Sequence, residues 1–236
     1  MLTKLSAIFV LTLSSQSVAQ EVVIPDVIYP TLVSEAPDVA GFVPKGWKLD
    51  HQQSGDLNGD GLSDLMFVLI DDDPKNFVSD ASFSVNPVNT NPRILAVAFA
   101  DKSKAYKLVL QNHTLIPRII EPMFEDPLQK DASLISNGSF TIAFYGFGGT
   151  IWQPQLQFRY QHNKFELIGF EDSRVERNSG TTVSASVNYL THKIEITTGS
   201  IENDISKTVT KKLKKAPLLT LEKIGSGLDF NPLYEQ

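Results

Sequence analysis

Asp56-Leu57-Asn58-Gly59-Asp60-Gly61-Leu62-Ser63-Asp64, followed at once by Leu65-Met66-Phe67-Val68-Leu69-Ile70, is the stretch on which the reading of the fold turns. Oxygen-bearing side chains stand at the first, third, fifth and ninth positions of the loop, with glycine at the sixth. A short turn of alternating oxygen donors can converge on Ca²⁺, a hard cation that takes six to eight oxygens. The expected ligands are the side chains of Asp56, Asn58, Asp60 and Asp64 and the backbone carbonyl of Leu62, with Gly61 supplying the sharp bend. A plain polar turn on Asn58-Gly59 and Asp60-Gly61 is the competing reading. It would leave three carboxylates within one short loop with nothing to neutralise them. The apolar run from Leu65 to Ile70 has the pattern of a strand buried on both faces.

Outward from this stretch the chain is mostly strand. Helical periodicity is scarce, and β-branched and aromatic runs are broken by turn residues. Before it lies residues 20–46, with Pro25, Pro30, Pro37 and Pro44, expected as an extended arm with at most one helical turn near Ser34 to Ala40. Trp47 to Gln53 is expected to form the first strand. After it, Asp71-Asp72-Asp73-Pro74 opens a segment to Pro92 rich in Asn, Ser and Pro, expected as a long exposed loop. Arg93 to Ala100 and Lys104 to Gln111 read as a hairpin across Asp101-Lys102-Ser103. Pro117 to Gly138 is expected to be irregular.

A second meander follows over residues 139–215. Its strands are expected at Phe140 to Phe147, Gln155 to Gln161, Lys164 to Phe170, Thr182 to Leu190 and Lys193 to Thr198, with tight turns at His162-Asn163 and Thr191-His192. Ile205 to Leu213 is read as a further strand. The tail from Ala216 should be irregular and pack down through Leu219, Leu221 and Phe230. The fold class is therefore mainly β: antiparallel meanders in two sheet halves (47–116 and 139–215) forming one domain over 47–236, with an extended N-terminal arm and an irregular C-terminal tail. No repeat recurs at a fixed period, which disfavours a propeller or solenoid.

The loop's first half resembles that of an EF-hand, but its twelfth position is Phe67 rather than a bidentate glutamate, and strand-like sequence follows instead of a helix. Dockerin modules share the first half, yet they continue into a helix and come in pairs. The resemblance is thus to the FG-GAP type of calcium loop, a β-hairpin version found in integrin-like propeller blades and in exported bacterial proteins. Further segments, Phe42-Val43-Pro44-Lys45-Gly46-Trp47, Phe158-Arg159-Tyr160-Gln161 and Lys164-Phe165-Glu166-Leu167-Ile168-Gly169, resemble a group of exported bacterial proteins with no assigned function. That resemblance implies shared fold and compartment and carries over no catalytic residues. With the twelfth-position ligand missing, calcium affinity is expected to be weak, ~10⁻⁴–10⁻³ M, which makes the ion a structural pin.

The N-terminus has one charge, Lys4, an apolar run from Leu5 to Leu13, and small residues ending in Ser17-Val18-Ala19. This reads as a secretory signal peptide over 1–19, cut after Ala19, and the run is far short of the ~20 residues of a membrane span. The expected location is periplasmic or secreted. No cysteine is present, so a lipidated cysteine at the cut, thiol nucleophiles and thiolate metal sites are excluded. Net charge is −6, an ordinary acidic balance that argues against a nucleic-acid partner, since phosphate neutralisation needs basic surface.

No catalytic constellation stands out. His51, His113, His162 and His192 lack metal-ligand spacing. Gly146-Phe147-Gly148-Gly149 lacks the lysine and helix of a phosphate cradle, and no Gly-x-Ser-x-Gly elbow occurs. Asp71-Asp72-Asp73 is read as a solvated acidic loop. Lys207, Lys211, Lys212, Lys214 and Lys215 form a basic patch suited to an acidic partner or a lipid headgroup, or simply to keeping an edge strand unpaired. The leading functional reading is a binding or structural envelope protein, stabilised by calcium, with a protein or glycan partner. The competing one is a periplasmic hydrolase with a dispersed carboxylate site, which rests on fold-level analogy.

Overall fold

The computed structural model describes residues 24–79, 87–103, 105–119, 126, 128–146 and 148–232. The expected signal peptide with its expected cut and the first residues of the arm lie outside these, as do Lys104, Phe147 and the middle of the Asn/Ser/Pro-rich loop. Two antiparallel sheets make up the fold. The first is built from β1 (Glu35–Ala36), β2 (Trp47–Gly55), β3 (Asp64–Asp71), β6 (Arg93–Ala100) and β7 (Tyr106–Asn112), in the order β1-β7-β6-β3-β2. A small ribbon pairs β4 (Phe77–Val78) with β5 (Val88–Asn89). The second sheet runs from β8 (Leu128–Ser136) through β9 (Ser139–Phe144), β11 (Gln155–Gln161), β12 (Lys164–Glu176), β13 (Thr181–Asn188) and β14 (Lys193–Ser200) to β15 (Asn203–Lys212). A short β10 (Thr150–Trp152) pairs with the far end of β12.

Alternation along β3 and β6 explains why the first sheet needs cover on both sides, since successive side chains point to opposite faces. Met66, Val68, Leu95 and Val97 face the second sheet and join the core that contains Phe140, Phe158 and Phe165. Leu65, Phe67, Leu69, Ile94 and Ala96 face the other way, onto Leu32, Ala36 and Phe42 of the arm. The arm is held by one amide used twice: Gln111 accepts from the Leu32 N–H at 3.0 Å and donates to the Pro30 carbonyl at 2.7 Å. It contains one 3-10 turn, Val39–Phe42, capped by Asp38.

Besides shifted element ends and the short β10, which was not expected, the structure departs from the sequence reading in three larger ways. Within the segment expected as a long exposed loop, Asn76, Thr90 and Asn91 are buried. They are held by mutual bonds and by the Arg118 guanidinium, which donates to Asn76 Oδ1 at 2.6 Å and to the Thr90 carbonyl. Polar side chains can be buried when they satisfy one another. The segment expected as irregular ends in β8, whose Lys, Asp and Ala are poor strand formers and whose pairing with β9 slips between Leu128 and Ser133. Third, β12 extends six residues beyond Phe170, to Glu176.

Tight hairpins follow the expected chemistry. His162 and Asn163 have φ of 53° and 60° between the paired residues Gln161 and Lys164, the two-residue turn whose central residues both take positive φ. The tail turns once at Leu221–Lys223, buries Leu221 completely and lays Phe230 against Phe170, with ring centroids 5.5 Å apart.

Candidate functional site

The loop from Asp56 to Asp64 joins β2 to β3 and is folded by its own acidic side chains. Gly59 and Gly61 both adopt φ of +83°, a left-handed conformation that glycine enters without steric cost. Their N–H groups turn inward onto Asp56, donating to Oδ1 at 2.7 Å and Oδ2 at 2.9 Å respectively. Asn58 Oδ1 accepts from the Asp60 N–H at 2.9 Å, and Asp60 Oδ1 accepts from the Leu62 N–H at 2.8 Å. Asn58 Nδ2 donates to Asp60 Oδ2 at 3.0 Å. Leu57 plugs the loop into the core at 2% exposure.

Asp64 has a different environment. It is fully buried, and its two oxygens accept from the N–H groups of Leu57, at 2.8 Å, and Ala100, at 2.9 Å. It therefore clasps the loop to the end of β6. Burial raises its pKa above the usual carboxylate range; the two backbone donors pull the other way, and the charges of Asp60 and Asp56 add a further upward push. Among the described residues no lysine or arginine pairs with Asp56, Asp60 or Asp64.

The structure thus gathers Asp56, Asn58 and Asp60 on the exposed turn and sets Asp64 on its buried side. Among the described residues no three His, Asp or Glu side chains group so as to hold a metal ion. The donor chemistry nevertheless suits calcium. All the candidate ligands are hard oxygens, and each carboxylate oxygen that accepts one N–H keeps lone-pair capacity for a cation. A bound ion would be held by Asp56, Asn58, Asp60 and the Leu62 carbonyl, with Asp64 behind them, and would supply the positive charge this cluster lacks. The Ala100 N–H that fixes Asp64 was not legible in the sequence, because that contact spans 36 residues and depends on strand order.

The remaining candidates have structural employment. Asp71 accepts from the Asp73 N–H and from Asn76 Nδ2, Asp72 pairs with Lys48 at 2.5 Å, and Asp73 caps the 3-10 turn Pro74–Asn76 while pairing with Lys75. A cavity of about 330 Å³ is lined by Asn89, Asn91, Arg93 and Asp126 together with apolar side chains. Arg93, 5% exposed, grips both Asp50, at 2.8 Å, and Asp126. Both carboxylates are thus engaged as acceptors by one guanidinium, each through a charge-assisted bond. His192 lies beside a small apolar pocket with Tyr189 and Phe230, and burial pushes the Tyr189 hydroxyl far above its usual range. No helix among the described residues is long and apolar enough to cross a membrane.

Comparison with family models, curated proteins and solved structures finds no match to this chain.

Proposed function

We propose that this chain is an exported, calcium-stabilised β domain that serves the cell envelope as a binding or structural protein. The observation that carries the reading is the loop around Asp64: a carboxylate whose pKa is raised first by burial and further by the charges of Asp60 and Asp56, with no lysine or arginine among the described residues paired to any of the three. A divalent cation relieves that repulsion and stiffens the turn between the first two long strands. Binding is favoured over hydrolysis because Asp50 and Asp126 are both committed to Arg93, whereas β15 offers an exposed basic surface.

The direct test is thermal unfolding in calcium and in chelator. With an affinity of ~10⁻⁴ M and calcium about tenfold above it, linkage gives about 1.4 kcal/mol, a rise of roughly 3–6 °C for a domain of this size. Asp60→Ala should abolish the rise. Identical melting in both conditions for the unaltered chain would remove calcium from the proposal. Affinity capture from whole envelope, with and without chelator, tests the binding role; failure to retain any partner in both conditions counts against it.

A further inference from the structure

β15 is the last strand of the larger sheet, and all ten of its residues, Asn203 to Lys212, are exposed. It carries Ile205 at 79% and Val209 at 40% exposure. Lys207, Lys211 and Lys212 on the strand are continued by Lys214 and Lys215, in a chain whose net charge is −6. None of these lysines has an ion-pair partner among the described residues.

The register identifies the groups on the free edge. The Leu213 N–H donates to the His192 carbonyl at 2.8 Å, and from there β14 and β15 pair without a slip from Lys193↔Lys212 to Thr198↔Lys207. Antiparallel pairs alternate between hydrogen-bonded and non-hydrogen-bonded. Lys211, Val209 and Lys207 therefore bond inward to β14, and the N–H and C=O groups of Lys212, Thr210 and Thr208 point outward. The close approach of Thr197 Oγ1 and Thr208 Oγ1, 2.8 Å, agrees with a non-hydrogen-bonded pair there.

We propose that this free edge docks an acidic, extended peptide strand, which adds to the sheet beyond β15. The inference rests on the binding-protein reading and names the partner's chemistry. Edge lysines, bulges, short length and proline all serve to keep an edge unpaired, and β15 has both the lysines and a slip against β14 between Asn203 and Lys207; what points beyond simple blocking is the remainder of the strand. β15 is regular and proline-free from Lys207 to Lys212, and it displays branched apolar side chains. Along one face Lys207, Val209 and Lys211 alternate basic with apolar; along the other stand Thr208 and Thr210. A complementary strand carries Glu or Asp opposite Lys207 and Lys211, a branched apolar side chain opposite Val209, and hydroxyl residues on its alternate face. Opposite charges directly across a ladder stabilise and like charges destabilise. In the register centred on Val209 a second copy of β15 would set Lys207 against Lys211, whereas an acidic strand in the same register meets both lysines with opposite charge, so the occupant we assign is an acidic chain. Main-chain bonds to the edge supply affinity and the alternating side chains supply specificity.

The probe is a labelled seven-residue peptide, Thr-Glu-Thr-Val-Thr-Glu-Thr, titrated against the full chain by fluorescence anisotropy. It should bind at low salt and weaken at high salt, where exposed charges are screened. Lys207→Glu with Lys211→Glu should weaken binding about tenfold, as should Thr210→Pro, which removes one outward donor and leaves the β14 ladder intact. A peptide of the same charge, N-methylated at the amides facing β15, reports on the edge bonds even if a protein variant fails to fold; it should also bind about tenfold more weakly.

Equal binding of the methylated peptide, or undiminished binding by a folded Thr210→Pro chain, overturns strand addition. So does association confined to anionic phosphatidylglycerol vesicles, or a dimer that forms through β15. A partner captured from envelope that survives Thr210→Pro would leave the binding-protein reading standing and remove this one.

Discussion

At Asp64 one carboxylate performs two structural tasks, closing the loop through Leu57 and fastening it to Ala100. Asn at this position offers a single acceptor and turns its NH₂ toward the second backbone donor. Leaving a buried donor unsatisfied costs about 1–3 kcal/mol, so Asp64→Asn should lower stability by that order in urea unfolding near neutral pH. The pH dependence carries its own sign. The folded pKa of Asp64 is raised above its unfolded value of 3.8, so between the two the folded chain keeps a proton that the unfolded chain has released. Rising pH through that window therefore lowers stability, and falling pH restores it. Asp73 and Asp101 act in the opposite direction, because hydrogen bonds from Lys75 to Asp73, and chiefly from Ser103 to Asp101, lower their pKa values. The Asp64 contribution is isolated as the difference between the unaltered chain and Asp64→Asn, both in chelator. A flat difference between pH 3.8 and neutrality would contradict the assignment.

Among the elements, β3 shows most directly how much of the fold could be read in advance. Its six apolar residues without a polar partner required burial on both faces, and the structure supplies the second sheet on one side and the arm on the other. The arm's cover centres on Phe42, whose ring lies 5.3 Å from that of Phe67. Truncating a buried phenylalanine removes its transfer energy and leaves a void, together about 3–5 kcal/mol. Phe42→Ala should lose that order of stability in urea unfolding; a loss under ~1 kcal/mol would mean that the arm is not part of the core. β8 and the end of β12 were not legible for the converse reason. β8 is fixed by its pairs with β9 at Leu128 and at Ser133 to Ser136, and the mostly polar run Glu171 to Glu176 by β13 and β10, not by local pattern. The same holds at the candidate site: the grouping of Asp56, Asn58 and Asp60 on one turn could be read from their spacing, while the direction of Asp64 followed from Ala100, far along the chain.

Across the whole molecule the two sheets share one core. Met66, Val68, Leu95 and Val97 of the first pack with Phe140, Phe158 and Phe165 of the second, so exposing either sheet strips apolar surface from the other. Such coupling makes unfolding all-or-none, despite the two meanders suggested by the sequence. The chain contains two tryptophans, one in each sheet: Trp47 opens β2 beside the arm, and Trp152 ends β10, where its ring lies over Gly146. Trp152→Phe leaves a fluorescent reporter in the first sheet, and Trp47→Phe leaves one in the second. If the shared core governs, then for each variant the fluorescence midpoint in urea should coincide with that from circular dichroism. A first-sheet reporter that moves at lower urea than the remaining β signal would instead mean that the arm, the Asp56–Asp64 loop and β3 form a separable unit. In that event calcium would shift the Trp47 transition alone, whereas in a single cooperative unit it shifts both by the same free energy.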